Sequence, residues 1–495
     1  MAVKETEFFE YLCSASKSTS VNYMKKLLLF AFLISLTFFA NSQRVISRTL
    51  IAHFTETQLD SILNANGIPQ GFVNTYYDVD VFKVVYNTVT YDSSAIIASG
   101  LLVIPTNLPC SLPLASYQHG TIIRKDDAPS SFLGSEPVIA AVLASNGYVA
   151  MEPDYIGLGA SPGKHYYQHA QTEATAVIDM IRSAREVCDT LGVNLNGQVF
   201  LTGYSQGGHA TMAAHKMIQE KVDAEMHVTA SVPMSGAYSM SEIMVNVMLS
   251  DSVYPSPSYL GYIISSWNTA YSLYDTLQKP LLYPYDSLLA VWYNGTYGTG
   301  YVDSKMPSVP KMIFKPDTVV AFQNDPNHTF RLRLKDNDVD NWLPTSPVKM
   351  LFCSSDSYVS DSNAMVAVTK MRNLGCTMCD TLNVNSVLDH QECAQLAILA
   401  AKGFLDTYAS IDCTNGVKDL SDLKIEVYPN PATDVLYLRN LPANTGAINV
   451  YSADGKLVKT EREAASLTVS NLAPGVYTIK VQLPETTRAI QFVKQ

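Results

Sequence analysis

Charge is scarce in this chain of 495 residues: Asp, Glu, Lys and Arg make up 16%, and 34 basic residues face 45 acidic ones, for a formal net charge of −11 without any basic block. A nucleic-acid partner therefore has no electrostatic support. Long apolar runs are as rare. Leu27 to Ala40 stands out, and at fourteen residues it is too short to span a bilayer as a helix. Gly and Pro are present at 25 and 24 residues with no repeating period, and hydrophobic residues reach 47%, which excludes collagen, coiled coil and disorder. What is left is an acidic chain able to bury a large core. At about 150 residues per domain it holds roughly three domains' worth of length.

The apolar run follows Met24-Lys25-Lys26 and ends in Ala40-Asn41-Ser42, with small residues flanking a cut before Gln43. A charged start, a short apolar centre and a small-residue cleavage site form the pattern of a secretory signal peptide. Residues 1–23 precede a complete signal and read as a start-site extension. Without residues 1–42 the formal charge is −12 and the cysteines fall from eight to seven. Disulfides are permitted outside the cytoplasm, and an odd count leaves at least one thiol outside any intrachain pair. Cys376-Thr-Met-Cys379 lacks a second close cysteine pair or a His pair, so a zinc site is not expected. A structural disulfide among Cys353, Cys376, Cys379, Cys393 and Cys413 is expected, with its connectivity open.

Between residues 81 and 235, short β-rich runs alternate with longer helical ones. Val81 to Tyr91 and Ala95 to Ile104 read as antiparallel strands around Asp92-Ser93-Ser94. Leu114 to Gln118, Tyr148 to Glu152, Gln198 to Thr202 and Val228 to Met234 read as buried strands, separated by helices near 135–146, 169–189 and 207–221. Such alternation predicts an α/β domain with a mostly parallel sheet and helices on both faces. It resumes with Val348 to Cys353, a helix near 362–374, a strand near 382–387 and a helix near 393–408. The interruption at 236–345 holds eleven of the 29 tyrosines, together with Trp267 and Trp292. It reads as a cap over the carboxyl ends of the strands, where open α/β sheets bind ligands. Its aromatic residues suit a pocket wall and the insert's own core equally well. Past Asp412-Cys413-Thr414-Asn415-Gly416 the helical period stops, and about seven short strands over 424–495 predict a small β-sandwich. The first folded domain is thus expected over 43–415 and the second over 424–495.

Gly203-Tyr204-Ser205-Gln206-Gly207-Gly208 falls between a strand ending near Thr202 and a helix starting near Gly207. In that setting a G-x-S-x-G turn lifts its serine where the hydroxyl can attack a bound carbonyl, while side chains at the glycines would collide with neighbouring elements. Ser205 is the candidate nucleophile. A serine needs an imidazole to take its proton and a carboxylate to hold that imidazole's tautomer. In the expected strand order both follow the serine. His53, His119, His165 and His169 precede it, His209 and His215 ride the next helix, His227 opens the next strand and His328 comes before the strand that presents the acid. His390 remains. Just past Val348 to Cys353, Asp356 is the favoured acid; Asp361 reads as a helix cap and Asp389 adjoins the base. The oxyanion of acyl transfer requires backbone donors, expected from Gln206 and from Thr121 after Gln118-His119-Gly120. No metal or organic cofactor is expected.

Tyr117-Gln118-His119-Gly120-Thr121, Pro153-Asp154-Tyr155-Ile156-Gly157-Leu158-Gly159, the helix Glu173 to Arg185 and Gly203-Tyr204-Ser205-Gln206-Gly207-Gly208-His209 together resemble the α/β-hydrolase superfamily, in its secretory-lipase-like branch, over about 75–410. The resemblance implies a Ser205, Asp356, His390 triad hydrolysing carboxylic esters beneath an inserted cap. In relatives the acid is followed by acidic and β-branched residues, and Asp356-Ser-Tyr-Val departs from that in detail. A peptidase or acyl-peptide hydrolase of prolyl-oligopeptidase type shares the turn but usually carries an amino-terminal propeller, for which this chain has no repeats. A surface-binding protein on an inert hydrolase scaffold is the rival of another class. At the other end, Val427-Tyr428-Pro429-Asn430-Pro431-Ala432, Val450-Tyr451-Ser452-Ala453-Asp454-Gly455, Gly475-Val476-Tyr477-Thr478-Ile479-Lys480-Val481 and Phe492-Val493-Lys494-Gln495 resemble the type A sorting domain of type IX secretion in Gram-negative bacteria. The first resemblance implies a small-molecule or lipid ester substrate, and the second implies the type IX machinery as a partner and a secreted or outer-surface location.

Overall fold

Side-chain alternation along the central strands decides how the sheet is covered. Leu102, Leu114, Val199, Leu201, Met350 and Phe352 point into one apolar cluster, and Leu101, Ala115, Phe200 and Leu351 into another. Both faces of these strands are therefore buried, as a sheet with helices on each side requires. The structure is a computed structural model describing residues 44–65, 68, 73–413, 425–439, 441, 445–453, 455–462, 465–482 and 487–495. The expected extension and signal peptide at 1–42 lie outside the described residues. The chain forms two units, one ending at Asp412 and one beginning at Cys413.

In the first unit, β1 (Val45–Phe54) and α1 (Glu56–Ala65) precede a hairpin of β2 (Val79–Val89) and β3 (Ala95–Pro105). There follow β4 (Leu112–Gln118), α2 (Pro137–Ser145), β5 (Val149–Pro153), α3 (Ala170–Leu191), β6 (Leu195–Tyr204), α4 (Gln206–Met217) and β7 (Ala230–Met234). An insert then supplies α5 (Val245–Leu249), α6 (Ser258–Tyr271), α7 (Tyr285–Trp292), α8 (Thr299–Asp303), α9 (Pro316–Asn324) and α10 (Thr329–Asp336). The sheet closes with β8 (Val348–Cys353), α11 (Ser362–Asn373), β9 (Cys379–Asn385) and α12 (His390–Asp406). Nine strands run in the order β1-β2-β3-β5-β4-β6-β7-β8-β9. Pairings up to β3·β5 are antiparallel, and from β5·β4 onward they are parallel. Side chains of α3, α4 and α11 fill one face, and those of α1, α2 and α12 the other.

β1 and α1 have no counterpart in the sequence reading. Most of β1 is exposed, with Ile46, Leu50 and Ile51 facing solvent at the sheet edge. Its apolar residues therefore mark no buried face. Two boundaries shift as well: the last strand begins at Cys379 and the last helix at His390. Cys353 pairs with Cys393 and Cys376 with Cys379, and buried Cys188 is the free thiol among the described residues.

The insert has a core of its own, built around Trp267, Ile264, Leu281, Leu289, Phe330 and Leu334. Trp267 is fully buried and donates its indole N–H to the Tyr167 carbonyl at 3.0 Å, which ties the insert to the β5–α3 loop. Its root is held by Lys370 of α11, whose Nζ lies 2.8 Å from Glu242 and 2.9 Å from Asp340, one before and one after the six helices.

The second unit contains a three-stranded antiparallel sheet, β10 (Glu426–Tyr428), β11 (Val435–Arg439) and β14 (Ser466–Thr468). Its four-stranded antiparallel sheet comprises β12 (Ala447–Ser452), β13 (Leu457–Arg462), β15 (Gly475–Gln482) and β16 (Thr487–Lys494). Leu436, Ile448, Val450, Leu467, Ile479 and Phe492 form its core.

Three of the buried histidines in the first unit are held well below the ordinary imidazole value. Burial pushes His165 and His169 down to about 4 and His215 to about 3. The unfolded chain binds protons at these sites below about pH 6.5, whereas the folded chain does not, so stability rises with pH across that window and falls on acidification. Each site contributes at most about 1.4 kcal/mol per pH unit. The His215 ring lies 2.8 Å from Ser231 Oγ and 3.0 Å from Ser346 Oγ, which an amide partly replaces. His215→Gln is expected to lose less melting temperature than the parent between pH 6.5 and 4.5; parallel slopes in thermal melts would refute this.

Candidate active site

Ser205 sits where β6 stops and α4 starts, with φ 60° and ψ −119°. A non-glycine residue at positive φ is strained by about 1–3 kcal/mol and persists only where its surroundings enforce it. Here the Ser205 amide donates to the Met234 carbonyl of β7 at 2.9 Å, and the Gly208 amide donates to the Ser205 carbonyl at 2.9 Å. Close packing completes the enforcement. A Cβ on Gly207 would lie 1.8 Å from the Gln118 carbonyl oxygen at the end of β4, and one on Gly208 2.4 Å from the Met234 carbonyl oxygen.

His390, the first residue of α12, places Nε2 2.8 Å from Ser205 Oγ and Nδ1 2.7 Å from Asp356 Oδ2. The Asp356 side chain is fully buried, and its Oδ1 accepts the amides of Tyr358 and Val359 at 2.9 and 2.8 Å. With a carboxylate accepting at Nδ1–H, Nε2 is left as the acceptor for the serine hydroxyl. The imidazole lies between two tyrosines, Tyr358 stacked at 4.8 Å and 18° and Tyr204 at 5.0 Å, and the Tyr204 hydroxyl donates to the His390 carbonyl at 2.6 Å. Asp389 is turned elsewhere. It caps α12, forms a capping box with Glu392 and accepts the Ser357 amide at 2.7 Å. Asp361 stands at the N-cap of α11, but its side chain makes no capping hydrogen bond, so the cap expected there is absent.

Gln206 opens α4, and the amide of a first helical residue has no partner within its own helix. Thr121 and Gly120 line the same cavity as Ser205 and His390. The Thr121 hydroxyl is fixed 3.0 Å from the Tyr167 hydroxyl, and the Gly120 amide donates to Glu136 Oε1 at 3.0 Å. His119 is buried behind this loop, with Nδ1 2.7 Å from the Gly120 carbonyl and its ring 4.3 Å from that of Tyr155.

One group behind the turn escaped the sequence reading. Glu173 of α3 is buried; its Oε1 accepts from Gln206 Nε2 at 2.8 Å and its Oε2 lies 2.6 Å from His209 Nδ1. Burial pushes the His209 imidazole down, but the Glu173 carboxylate, with the Asn337 carbonyl and Asp338, more than offsets this and leaves it above its ordinary value. The same Gln206 Nε2 also lies 2.8 Å from His165 Nε2. The sequence signal was an acidic residue within the buried stripe of α3, beside Thr172, Ala174 and Val177; Asp179 is a second one in the same stripe.

With this geometry in view, similarity to solved structures gains meaning. The rice cell wall degrading esterase LipA from Xanthomonas oryzae is 26% identical, with 74% of this chain and 100% of that one covered at a TM-score of 0.68. A hydrolase from Legionella pneumophila is also 26% identical, with 74% and 98% covered and a TM-score of 0.68. Candida antarctica lipase A, at 17% identity and TM-score 0.56, shares the fold. No curated protein sequence matches the chain. The first unit is an α/β-hydrolase of the carboxylic ester hydrolase class. Residues 126–238 match the secretory lipase family, and residues 426–495 match the secretion system C-terminal sorting domain, which indicates type IX secretion to the cell surface or beyond.

Gly207→Ala is expected to cost about 3 kcal/mol or more, because the clash is with backbone rather than with a movable side chain. Urea unfolding of this variant and of the surface control Gly298→Ala, where a Cβ meets open space, checks this; equal midpoints would show that the turn is not closely packed.

Proposed function

We propose that the protein is an exported serine esterase in which Ser205, His390 and Asp356 hydrolyse carboxylic esters through an acyl-enzyme. The observation that carries this is the unbroken pair of contacts, 2.8 Å from Ser205 Oγ to His390 Nε2 and 2.7 Å from His390 Nδ1 to Asp356. Ser205 Oγ attacks the ester carbonyl as Nε2 takes its proton, and Asp356 stabilises the imidazolium that forms. The Gln206 and Thr121 amides receive the oxyanion, a contribution of roughly 3 to 4 kcal/mol per donor. The imidazolium then protonates the departing alkoxide. Water, deprotonated by Nε2, attacks the acyl-enzyme, and its collapse returns Ser205 and releases the carboxylic acid. Behind Gln206, Glu173 keeps the first residue of α4 in place.

The chemistry is tested on p-nitrophenyl esters with a fluorophosphonate label. Ser205→Ala is expected to lose labelling, and Asp356→Asn to lose roughly 10⁴-fold in kcat. Asp389→Ala should retain kcat and lose about 1 kcal/mol of stability as a lost helix cap. A parent inert towards every ester, or a kcat that depends on Asp389 rather than Asp356, refutes the assignment.

Export is proposed to begin with removal of residues 24–42, and the sorting domain then directs the chain to the type IX machinery. Amino-terminal sequencing of protein recovered outside the cell is expected to start at Gln43; a start at or before Met24 would refute cleavage.

A further inference from the structure

We propose that the small cavity beneath the insert is a slot for short acyl chains with Met248 as its floor, a proposal that rests on Ser205 being the nucleophile. Two cavities open on that residue. The first has a volume of about 50 Å³, and its apolar wall includes Ala237, Met240, Met244, Met248, Leu260 and Ile263. The second has a volume of about 570 Å³, and its lining includes Tyr117, Thr121, Glu136, His390, Gln391 and Gln395.

Proton transfer decides which half of an ester enters which cavity. The departing alkoxide must reach His390 Nε2, and His390 lines the larger cavity and not the smaller. The alcohol half therefore lies in the larger one. The acyl substituent, on the other side of the carbonyl carbon at Ser205, enters the smaller one.

Size then limits the chain. A dry cavity of about 150 Å³ admits one benzene molecule, so a third of that volume holds roughly two or three carbons beyond the carbonyl. Acetyl to butyryl groups fit. Among the described residues, no charged side chain lines this wall: the Tyr167 hydroxyl is engaged with Thr121 Oγ1 at 3.0 Å and the Tyr254 hydroxyl with the Tyr358 carbonyl at 3.1 Å, Gln168, Tyr259 and Tyr358 are neutral, and the remainder is mainly aliphatic and thioether. A charged acyl group would be desolvated there without a counter-charge.

Met248 is buried and also lines a third cavity, of about 10 Å³, together with Leu260, Tyr274, Phe314 and Phe322. Met248 and Leu260 are therefore the partition between the slot and the space behind it. Cutting Met248 back to its Cβ joins the two and lengthens the slot. Val247, half-buried in the wall, acts in the opposite sense when enlarged.

The test is kcat/KM for p-nitrophenyl acetate, butyrate, octanoate and dodecanoate, with one leaving group throughout, on the full protein. The parent is expected to prefer acetate or butyrate over octanoate by roughly tenfold or more. Met248→Ala should raise the octanoate to butyrate ratio by a similar factor. Val247→Phe should lower butyrate relative to acetate, and it keeps the assignment testable should Met248→Ala fail to fold. A parent that favours octanoate or longer chains, or variants whose profiles superpose on the parent's, overturns the slot and leaves the esterase reading in place. Absence of hydrolysis across the series, in protein that also escapes fluorophosphonate labelling, overturns both.

Discussion

The backbone of Ser205, at φ 60° and ψ −119°, is the constraint on which the first unit depends. Relaxing it would recover about 1–3 kcal/mol locally. It is held because β6 lies between β4 and β7, so that the turn after it is pressed against the Gln118 carbonyl on one side and the Met234 carbonyl on the other. The same strand order fixes what surrounds the serine. The loop after β4 carries Thr121, the insert leaves after β7, the turn after β8 carries Asp356, and the connection after β9 delivers His390 at the start of α12. All lie at the carboxyl ends of parallel strands, where open α/β sheets collect their ligand-binding groups.

Support for that turn comes from groups that are costly to bury alone. Glu173 and His209 are both fully buried, and a carboxylate in that position is tolerated because each oxygen has a partner, Gln206 Nε2 for one and His209 Nδ1 for the other. Such a pair adds little net stability, yet removing one partner leaves an uncompensated charge worth roughly 3–5 kcal/mol. Its value is positional. The Gln206 side chain is bound from below, while its amide sits one residue past Ser205. The His390 imidazole is confined in a comparable way, by the rings of Tyr204 and Tyr358.

The geometry of the turn was legible because its constraints are local: glycines that must be glycines, a strand before and a helix after. The strands β3, β4, β6 and β8 were legible as short β-rich runs bounded by turns or helices. Elsewhere the deciding contacts are distant in sequence. β1 runs along an edge with its apolar side chains in solvent, so pairing with β2 alone defines it. The insert's aromatic residues divide between roles that composition cannot separate: Trp267 and Phe330 build its core, whereas Tyr254 and Tyr259 line the cavity at Ser205. Glu173 reads as one polar residue in a helix until His209 and Gln206 are brought against it, 36 and 33 residues away.

Disulfide connectivity was open for a similar reason, and its outcome bears on the site. Cys353 ends β8 three residues before Asp356, and Cys393 lies three residues after His390 in α12. The bond between them joins the segment that carries Asp356 to the segment that carries His390. Asp356 and His390 must meet within 2.7 Å although 34 residues separate them, so a covalent link close to both narrows the ways in which the two segments can drift apart. Such a link forms and persists in an oxidising medium. The sorting domain at 426–495 directs the chain to that kind of medium. Export and site geometry are therefore coupled: the reducing cytoplasm does not favour the bond that braces the segments of Asp356 and His390, and the compartment beyond it does.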